Sequence, residues 1–579
     1  MQADLQAHQR AHPDLLDCLW AYQNKHGYIR DEDVAECAAY RNLSKVELEG
    51  VISFYHFFHR KPAGRHIIYL NKSIVSEFSG FQRIKDAFER ETGATFGGVD
   101  PSGLFGLFET ACIGLSDQEP AALIDFHPFT NLTTLKVKHI IAELKQGASV
   151  EKICDEVADN IRYVPGDGRA FFLRDYFPGS AVAKLPGLTP EQVIELINRS
   201  KLSGRGGAFF PTGLKWGLCR QQESSPKYIV CNADEGEPGT FKDRVLMNTM
   251  PGLVLEGMIT AGYAVGASVG IFYLRAEYAW MKDKLERAIE QFYRMNLLGL
   301  NALGIEGFNF DIRLQLGAGS YVIGEETAML NSLEGKRGES RVKQFFPVER
   351  GYLNQPTVVN NVETLCAAAR IMELGADYFL NLGLPESPGT KLISISGDCH
   401  LPGIYEIEWG MKLEELLNLC QAENPYFIQV SGPSGECVSM AEKDRVLSKD
   451  DLRCGGSLMV FSHHRDILQI LINFADFFKE ESCGVCTPCR AGNFIIRRKL
   501  EKVRLGLARQ SDYDDIRQWG KIMELASRCG LGKMATNSLV KALSAFPEYF
   551  GQKIEGEEDR LNKEFNLERA IADYEKFKS

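Results

Sequence analysis

The spacing of apolar residues changes several times along the chain, and each change predicts a different kind of structure. Through residues 1–62 the apolar positions recur at helical spacing, and Ser44 followed by Glu47 forms a capping box, so this segment is predicted to be helical. Strand-like apolar runs around a helix make 63–148 a predicted α+β unit. The segment 149–188 is mixed and has several Gly and Pro residues, which predicts a linker with short ordered pieces.

Short buried strands alternate with helices through residues 189–385. The apolar runs Tyr228–Cys231, Gly270–Leu274 and Ile312–Leu316 are the predicted strands, and glycine-rich turns lie beside them. Strands that alternate with helices in this way favour a parallel α/β sheet of the Rossmann-like kind. Ligands of such sheets bind at the carboxyl ends of the strands.

The strands become shorter in residues 386–465. The runs Leu392–Ile395, Tyr426–Val430 and Met459–Phe461 are predicted strands, and Leu413–Leu419 is a predicted helix among them. This order resembles a small β-grasp domain.

Helical spacing returns from residue 466 to the end of the chain. Four apolar stretches, centred near Ile470, Leu500, Met523 and Leu543, predict a C-terminal four-helix bundle over 466–579. The charged tail after 551 is predicted to be helical only in part. The chain is thus a predicted multidomain α/β protein.

Composition narrows the class of protein. A length of 579 residues indicates several domains, about three to five at the usual domain size. The net charge of -11 excludes a broad basic surface for nucleic acid. The apolar stretch 257–274 is interrupted by glycines and predicts a buried helix and strand better than a membrane span. The N-terminus does not have the pattern of a signal peptide, and the odd count of 15 cysteines indicates free thiols, so a cytoplasmic protein is expected.

Three cysteines, Cys483, Cys486 and Cys489, follow a CxxCxxC spacing, and Cys529 follows at a distance. Four thiolates are the ligands of a [4Fe–4S] cluster. A structural zinc site also takes four cysteines, usually as two CxxC pairs. Three close cysteines and one remote cysteine favour the iron–sulfur cluster, which implies single-electron transfer, and zinc is the alternative.

A glycine-dense loop at 204–207 precedes the first predicted strand of the parallel sheet. It departs from the GxGxxG dinucleotide fingerprint, because Phe209 stands where the third glycine belongs. Such a loop exposes backbone N–H groups to a flat or anionic ligand, and Arg205 and Lys215 can neutralise phosphates. A simple tight turn is the alternative.

Polar side chains follow the predicted strands. Asp234, Glu235 and Glu237 come directly after a buried strand, where carboxylates can accept hydrogen bonds from ribose or ribityl hydroxyls. A second glycine-rich turn at 317–326 repeats this design, and the adjacent asparagines at 360–361 can bond the edge of a heterocycle. The alternatives are a solvated acidic loop and a helix-capping cluster.

Five long motifs resemble those of the respiratory complex I flavoprotein family, whose members bind FMN and NADH. They lie at 204–216, 232–244, 317–327, 359–364 and 481–490, in the order of that family. The resemblance covers the chain from about residue 190 to 579.

The N-terminal part resembles a second component of complex I, the thioredoxin-like [2Fe–2S] protein, fused in front. The four cysteine positions of that family match Asn71, Ser76, Cys112 and Ser116, so one ligand remains and we expect no cluster there. A flavoprotein with such a fused module resembles the large diaphorase subunit of soluble NAD-reducing [NiFe] hydrogenases.

The resemblance implies cofactor contacts at the matching positions. Those implied for FMN are Gly204, Arg205, Gly206, Gly207, Lys215, Asn232, Asp234, Glu235, Tyr321, Gly324, Glu325, Val359, Asn360, Asn361 and Thr364. Those implied for the nicotinamide dinucleotide are Phe210, Glu237, Glu326, Lys343 and Phe346, and those for the [4Fe–4S] cluster are Cys483, Cys486, Cys489 and Cys529. Two departures from the family are Phe209 in place of glycine and Asn354-Gln355 in place of a common Gly-Lys.

The implied function is hydride exchange between NAD(H) and FMN, with single electrons passing to the [4Fe–4S] cluster; no side chain is expected to act as acid or base. The implied partners are a small iron–sulfur diaphorase subunit and the large and small hydrogenase subunits, with H2 and NAD+ giving NADH and a proton. The flavoprotein component of a formate dehydrogenase or of complex I is the alternative in the same class. A non-catalytic interaction protein with a structural metal is the alternative in another class.

Overall fold

The computed structural model describes residues 14–554, which begin with three helices. These helices span Leu15–His26, Asp31–Arg41 and Lys45–Ile52. The predicted capping box is confirmed, because the Glu47 amide donates to the Ser44 hydroxyl at 3.2 Å and the Ser44 amide donates to the Glu47 carboxylate at 2.9 Å. The predicted partial helix in the charged tail falls mostly at 555–579, outside the described residues.

A five-stranded sheet follows these helices. In spatial order its strands are Gly98–Val99, Phe105–Thr110, His66–Asn71, Ala122–Ile124 and His127–Phe129. The second and third strands of this order are parallel and the other pairs are antiparallel. The helices Phe81–Thr92 and Thr134–Lys145 share a core with Ile68 and Leu107 of the sheet. The shorter helices Ile74–Phe78 and Val150–Ile153 complete this α+β module.

The predicted linker at 149–188 is tied into the rest of the molecule. Its strand Ile161–Tyr163 pairs with Ile404 and Tyr405 of a later sheet. The buried Glu406 carboxylate accepts hydrogen bonds from the amides of Phe171, Phe172 and Leu173 at 2.6, 2.8 and 2.8 Å. These bonds join the segment firmly to the domain that follows it.

Four strands, all parallel, form the sheet of the central domain. In spatial order they are Thr357–Asn361, Tyr228–Ala233, Val269–Leu274 and Asp311–Leu316. Its helices of eight or more residues span Pro190–Arg199, Thr212–Arg220, Lys242–Thr249, Pro251–Val265, Lys282–Arg294, Glu326–Leu333 and Val362–Leu374. Because the strands run in one direction, the loops after them meet at one edge of the sheet.

The apolar stretch 257–274 is a buried helix followed by a buried strand, as predicted. Gly257 allows a close approach of two helices, since a Cβ there would lie 2.2 Å from the Leu365 carbonyl oxygen. Within residues 14–554, no helix has the length and apolar character needed to cross a membrane.

A six-stranded sheet follows the parallel domain. In spatial order its strands are Glu436–Ser439, Pro425–Val430, Ser457–Ser462, Thr390–Gly397, Gly403–Glu408 and Ile161–Tyr163. Thr390–Gly397 lies antiparallel to Gly403–Glu408 and parallel to Ser457–Ser462. The helix Leu413–Leu419 has the predicted bounds.

The C-terminal region is helical. Its helices span Ile467–Glu480, Thr487–Arg504, Gln510–Ala526, Gly530–Met534, Asn537–Ala545 and Pro547–Gly551. The four long helices are those that the sequence predicts, and Ile470, Leu500, Ile516 and Leu543 belong to one buried core.

Candidate functional site

The four predicted cluster cysteines line one cavity. Cys483, Cys486, Cys489 and Cys529 lie around a space of about 10 Å³, together with Val322 and Leu531. Cys486 immediately precedes the helix Thr487–Arg504, so the positive end of that helix faces the cavity region. The fold therefore brings together a remote cysteine and the three close ones.

Polar groups surround the thiol of Cys489. The Asn493 amide lies 3.4 Å from its sulfur and the Ser482 hydroxyl 3.3 Å from it. Burial raises the pKa of Cys489 to about 12 and also raises the pKa of Cys483. A positively charged iron core would favour the thiolate forms that burial disfavours.

The cavity has the donor set of an iron–sulfur cluster. Thiolates are the usual ligands of such clusters, and four of them line this space. Among the described residues, no three His, Cys, Asp or Glu side chains lie close enough to hold one metal ion. Three cysteines close in sequence and one remote cysteine at the same cavity fit a cubane better than a zinc site made of two CxxC pairs.

The second candidate site is the edge of the parallel sheet where its strands end. The first element there is the glycine loop, residues 203–211, closed by a hydrogen bond from the Gly204 amide to the Phe210 carbonyl at 2.9 Å. Gly207 has φ of 105° and is exposed, and a Cβ on Gly206 would lie 3.3 Å from the Asn361 side chain. This loop needs glycine for its conformation and brings open main chain beside the strand ends.

Arg205 does not point its charge toward this edge. Its guanidinium is buried, donates to the Thr390 carbonyl at 2.8 Å, and lies over the rings of Phe379 and Trp409. The prediction that its side chain neutralises a phosphate is therefore wrong. Lys215 remains near the loop, where its ammonium bonds Glu326 at 3.1 Å and the Val359 carbonyl at 3.2 Å.

The acidic loop, residues 232–240, has one carboxylate whose two oxygens both accept hydrogen bonds from the main chain. Both Glu235 oxygens accept main-chain hydrogen bonds, from Asp243 at 2.8 Å and Arg244 at 3.1 Å, at the start of the helix Lys242–Thr249. Glu235 is therefore a helix cap, and its carboxylate has little capacity left for FMN.

The other two acidic side chains have different surroundings. Asp234 is partly exposed as a residue, but its carboxyl group is enclosed by protein, and this burial raises its pKa to about 8. Glu237 accepts hydrogen bonds from the Tyr321 hydroxyl and from the Ser434 amide at 2.9 Å, and burial raises its pKa to about 7. The Glu237 carboxyl is thus bonded within the protein in this structure.

The Tyr321 loop, residues 317–326, lies against the acidic loop. The Asn232 amide donates to the Gly324 carbonyl at 2.9 Å and joins the two loops. Glu325 caps the helix Glu326–Leu333 by accepting from the amides of Thr327 and Ala328, both at 3.0 Å. As with Glu235, the carboxylate of Glu325 is used by the fold.

The predicted amide pair is also engaged within the protein. Asn360 accepts from the Trp216 indole at 2.9 Å, and Asn361 caps the helix Val362–Leu374 while donating to Asp243 at 2.6 Å. The Thr364 hydroxyl accepts from the Arg205 amide at 2.9 Å. Asn361 is therefore a helix cap, as in the alternative interpretation. The three residues Asn360, Asn361 and Thr364 hold the main chain in place at the ends of the strands.

Three of the five residues predicted for the dinucleotide are exposed. Phe210 is 45% and Phe346 62% exposed, and Lys343 is exposed between them in sequence. Glu326 is partly exposed and paired with Lys215. Exposed aromatic rings beside a polar edge are suited to stacking on a base or nicotinamide ring.

The two candidate sites touch each other. The Glu481 carboxylate, two residues before Cys483, accepts from the Tyr321 amide at 2.8 Å, and His56 lies 3.0 Å from the same carboxylate. Val322, next to Tyr321, lines the cysteine cavity. His56, Val322 and Ser340 were not predicted from the sequence, although Val322 lies inside the motif at 317–327.

The thioredoxin-like module has a different donor set at its predicted cluster positions. The Cys112 sulfur lies 3.5 Å from the Ser116 hydroxyl, and the Asn71 amide donates to the buried Glu119 carboxylate. Ser76 is fully buried. One thiol among hydroxyl, amide and carboxyl groups does not fit a [2Fe–2S] cluster.

Family models match three parts of the chain. Residues 1–145 match the thioredoxin-like [2Fe-2S] ferredoxin, residues 197–370 the Nuo51 FMN-binding domain, and residues 469–553 the NADH-ubiquinone oxidoreductase-F iron-sulfur binding region. The alpha subunit of the NAD-reducing hydrogenase HoxS from Cupriavidus necator is 48% identical over 574 residues, 97% of this chain and 95% of that protein. The chain belongs to the family of NAD-reducing hydrogenase alpha subunits.

Other relatives agree with this membership. A chain in the crystal structure of an NAD+-reducing [NiFe]-hydrogenase in the H2-reduced state has a TM-score of 0.89 and 34% identity, over 98% of this chain and 97% of its own. One subunit of the NADH-quinone oxidoreductase of Aquifex aeolicus is 38% identical over 64% of this chain and 87% of its own length. Within the hydrogenase family, the chain is an oxidoreductase subunit with an FMN-binding domain and an iron–sulfur region.

Proposed function

We propose that the chain is the diaphorase subunit of an NAD-reducing hydrogenase and connects NAD(H) to partner iron–sulfur subunits through FMN and one [4Fe–4S] cluster. The observation that carries the proposal is the contact between the two sites, since Tyr321 borders the strand ends and Val322 lines the cysteine cavity. When bound, FMN supplies the exchange between a two-electron hydride and single electrons. The near-full-length match to a hydrogenase alpha subunit supports this function over the quinone oxidoreductase alternative.

The chain's own groups bind and orient the cofactors in this proposal. The open main chain of the glycine loop and the Lys215 ammonium bind the FMN phosphate, and Asp234 accepts hydrogen bonds from the ribityl hydroxyls. Eight further residues act by fixing the loops around the cofactor: Asn232, Glu235, Gly324, Glu325, Val359, Asn360, Asn361 and Thr364.

The residues proposed to bind NAD(H) include exposed side chains. Phe210 and Phe346 stack on its rings, Lys343 contacts its phosphates, and Glu237 and Glu326 accept hydrogen bonds from it. The support for these roles is the exposure of the two rings and of Lys343, and the position of the Phe210 ring, whose centre lies 6.0 Å from the Lys215 ammonium. Holding two flat rings in contact is how the protein accelerates hydride transfer.

The proposed partners are a small iron–sulfur diaphorase subunit and the two hydrogenase subunits. We place the assembly in the cytoplasm, because Cys219, Cys231 and Cys366, which lie outside the cluster set, are buried thiols of the kind found in a reducing compartment. The six-stranded sheet is proposed to be a β-grasp domain and the C-terminal helices a four-helix bundle, which hold the cluster beside the flavin.

The test uses the full-length chain, matured with iron and FMN and combined with its copurified partner subunits. We expect a flavin absorption band that bleaches on addition of NADH. Cys486→Ala is expected to abolish reduction of the partner subunits but to keep bleaching of the flavin by NADH. Cys437→Ala, at a buried cysteine of the six-stranded sheet, is the matched control and should keep both activities. A colourless wild-type chain that binds zinc would contradict the proposal.

A further inference from the structure

Polar contacts between the thioredoxin-like module and the central domain include a loop, residues 112–119, which we name the buttress loop. The Arg244 guanidinium of the central domain donates to the Gly114 carbonyl at 2.9 Å and to the two Asp117 oxygens at 3.0 and 3.2 Å. The side chains of Arg244 and Asp117 are both 0% exposed. A buried charge pair that joins two modules fixes their relative position, because separating it leaves both charges without a partner.

A second arginine crosses the same boundary. Arg275 donates to the Cys112 carbonyl at 2.8 Å and also to the main-chain carbonyl of Glu235. Glu277 neutralises it through hydrogen bonds of 2.6 and 3.0 Å. One guanidinium thus joins the main chain of the buttress loop to the main chain of the acidic loop.

The side chain of Glu235 is held by groups that touch the buttress loop. The amide of Arg244 donates to it at 3.1 Å, and so does the Tyr278 hydroxyl, also at 3.1 Å. Tyr278 in turn lies directly against Gly114, since a Cβ on that glycine would lie 2.0 Å from the tyrosine oxygen. Both the main chain and the carboxylate of Glu235 are therefore held by residues that contact the buttress loop.

We propose that the buttress loop is a positioning element for the cofactor site, in which Asp117 acting through Arg244 holds the acidic loop in its binding conformation. Asp234 and Glu237 flank Glu235, so a shift of Glu235 moves the side chains proposed to bind FMN and NAD(H). This inference rests on the proposed function. The loop that corresponds to half of a cluster site in the [2Fe-2S] family thus supports the neighbouring flavin site here.

The experiment compares Asp117→Asn with wild type in the full-length, iron-loaded chain. Removing the charge leaves Arg244 buried without its carboxylate, so we expect an FMN Kd and an NADH KM each raised about tenfold, with kcat per bound FMN changed by less than about twofold. The EPR signal of the reduced [4Fe–4S] cluster should stay unchanged. Arg244→Gln should have the same effects, and the double variant should lie closer to wild type because neither charge is then left unpaired.

Two further variants separate positioning from general stability. Tyr278→Phe removes one hydroxyl and keeps the ring, so it should fold and raise the FMN Kd about threefold, the loss of one hydrogen bond. Asp398→Asn removes the bidentate partner of Arg465 in the six-stranded sheet and should leave FMN Kd and NADH KM unchanged.

The inference is overturned if folded Asp117→Asn and Tyr278→Phe both keep the wild-type FMN Kd and NADH KM. If Asp117→Asn does not fold, Tyr278→Phe decides alone. A wild-type chain that binds no FMN contradicts the proposed function instead, so the two failures are distinguishable.

Discussion

Two residues that depart from the complex I flavoprotein family lie in a backbone conformation that favours glycine. Phe209 stands at a family glycine and has φ of 54°, and Asn354, where glycine is common, has φ of 60°. Both positions keep the left-handed conformation that glycine adopts without strain. Asn tolerates it well, whereas Phe209 is strained and packs its ring 6.2 Å from that of Trp409.

Glu326 should distinguish the two ligands. Glu326→Ala removes an acceptor near the exposed rings and releases Lys215, so we expect NADH KM to rise about tenfold while the FMN Kd changes by less than about threefold. Glu286→Ala, which removes an exposed glutamate paired with Lys282, is the control and should change neither constant. Equal losses of both ligands would contradict the assignment. The measurement is NADH-dependent dye reduction beside flavin fluorescence titration.

Buried carboxyl groups should give the FMN-free chain an unusual pH dependence. Burial raises the pKa of Asp234 and Glu119 to about 8 and that of Glu237 to about 7. Between pH 6.5 and 8.5 the folded state therefore binds more protons than the unfolded state, whose carboxyl groups have pKa values near 4. Their stabilising effect is complete below about pH 4 and is lost as the pH rises through 7 to 8.

We thus expect the free energy of unfolding in urea to fall between pH 6.5 and 8.5. Glu119→Gln should flatten this fall, by up to about 1.4 kcal/mol per pH unit for a fully titrating group. A free energy that rises over this interval would show that these carboxyls are already ionised.

At the scale of elements, loops from different modules hold each other. The amides of His56 and Phe57 donate to the carbonyls of Gly319 and Ala318 at 3.0 and 3.2 Å, so an N-terminal turn is bonded to the Tyr321 loop. A Cβ on Gly319 would lie 2.4 Å from the Phe57 ring. The contact depends on the absence of a side chain there.

Gly319→Ala should therefore weaken both stability and flavin binding. Gly307→Ala is a matched control, since Gly307 has φ of 78° beside 82° for Gly319 but nothing within 4 Å of its Cβ. We expect Gly319→Ala to cost about 1–3 kcal/mol more than the control in urea unfolding, because it adds a steric clash to the same backbone strain. Equal losses of unfolding free energy in the two variants would mean that the Phe57 ring can move away from the added methyl group without loss of stability.

At the scale of the whole molecule, the metal content can be predicted from two regions. The C-terminal cysteines provide one cluster site, and the thioredoxin-like module lacks the ligands for a second cluster. We expect about four iron atoms per matured chain, the content of a single [4Fe–4S] cluster. Cys529→Ser should lower this content markedly, and Cys112→Ser should leave it unchanged. Iron analysis together with EPR of the reduced chain tests this, and about six iron atoms per chain would contradict it.

Much of the fold follows from local pattern. The helix Leu413–Leu419 and three of the four parallel strands were predictable, because the spacing of apolar residues and the glycines at turns act over a few residues. The fourth strand, Thr357–Asn361, was not predicted. The strand Ile161–Tyr163 was not, because it is short, mostly exposed and stabilised only by pairing with a strand far along the chain. Tertiary pairing of this kind leaves no periodic signal.

The sequence by itself determined the candidate cluster thiols, the glycine and acidic loops and the order of the modules. This is because the type of ligand atom and the type of turn follow from residue identity and spacing. Only the tertiary structure decided which polar groups remain open to a ligand. It buried the charge of Arg205, made caps of Glu235, Glu325 and Asn361, and placed Val322 beside the cysteines. The physical reason is that a side chain's hydrogen-bonding capacity is assigned by whichever partners the folded chain brings within reach.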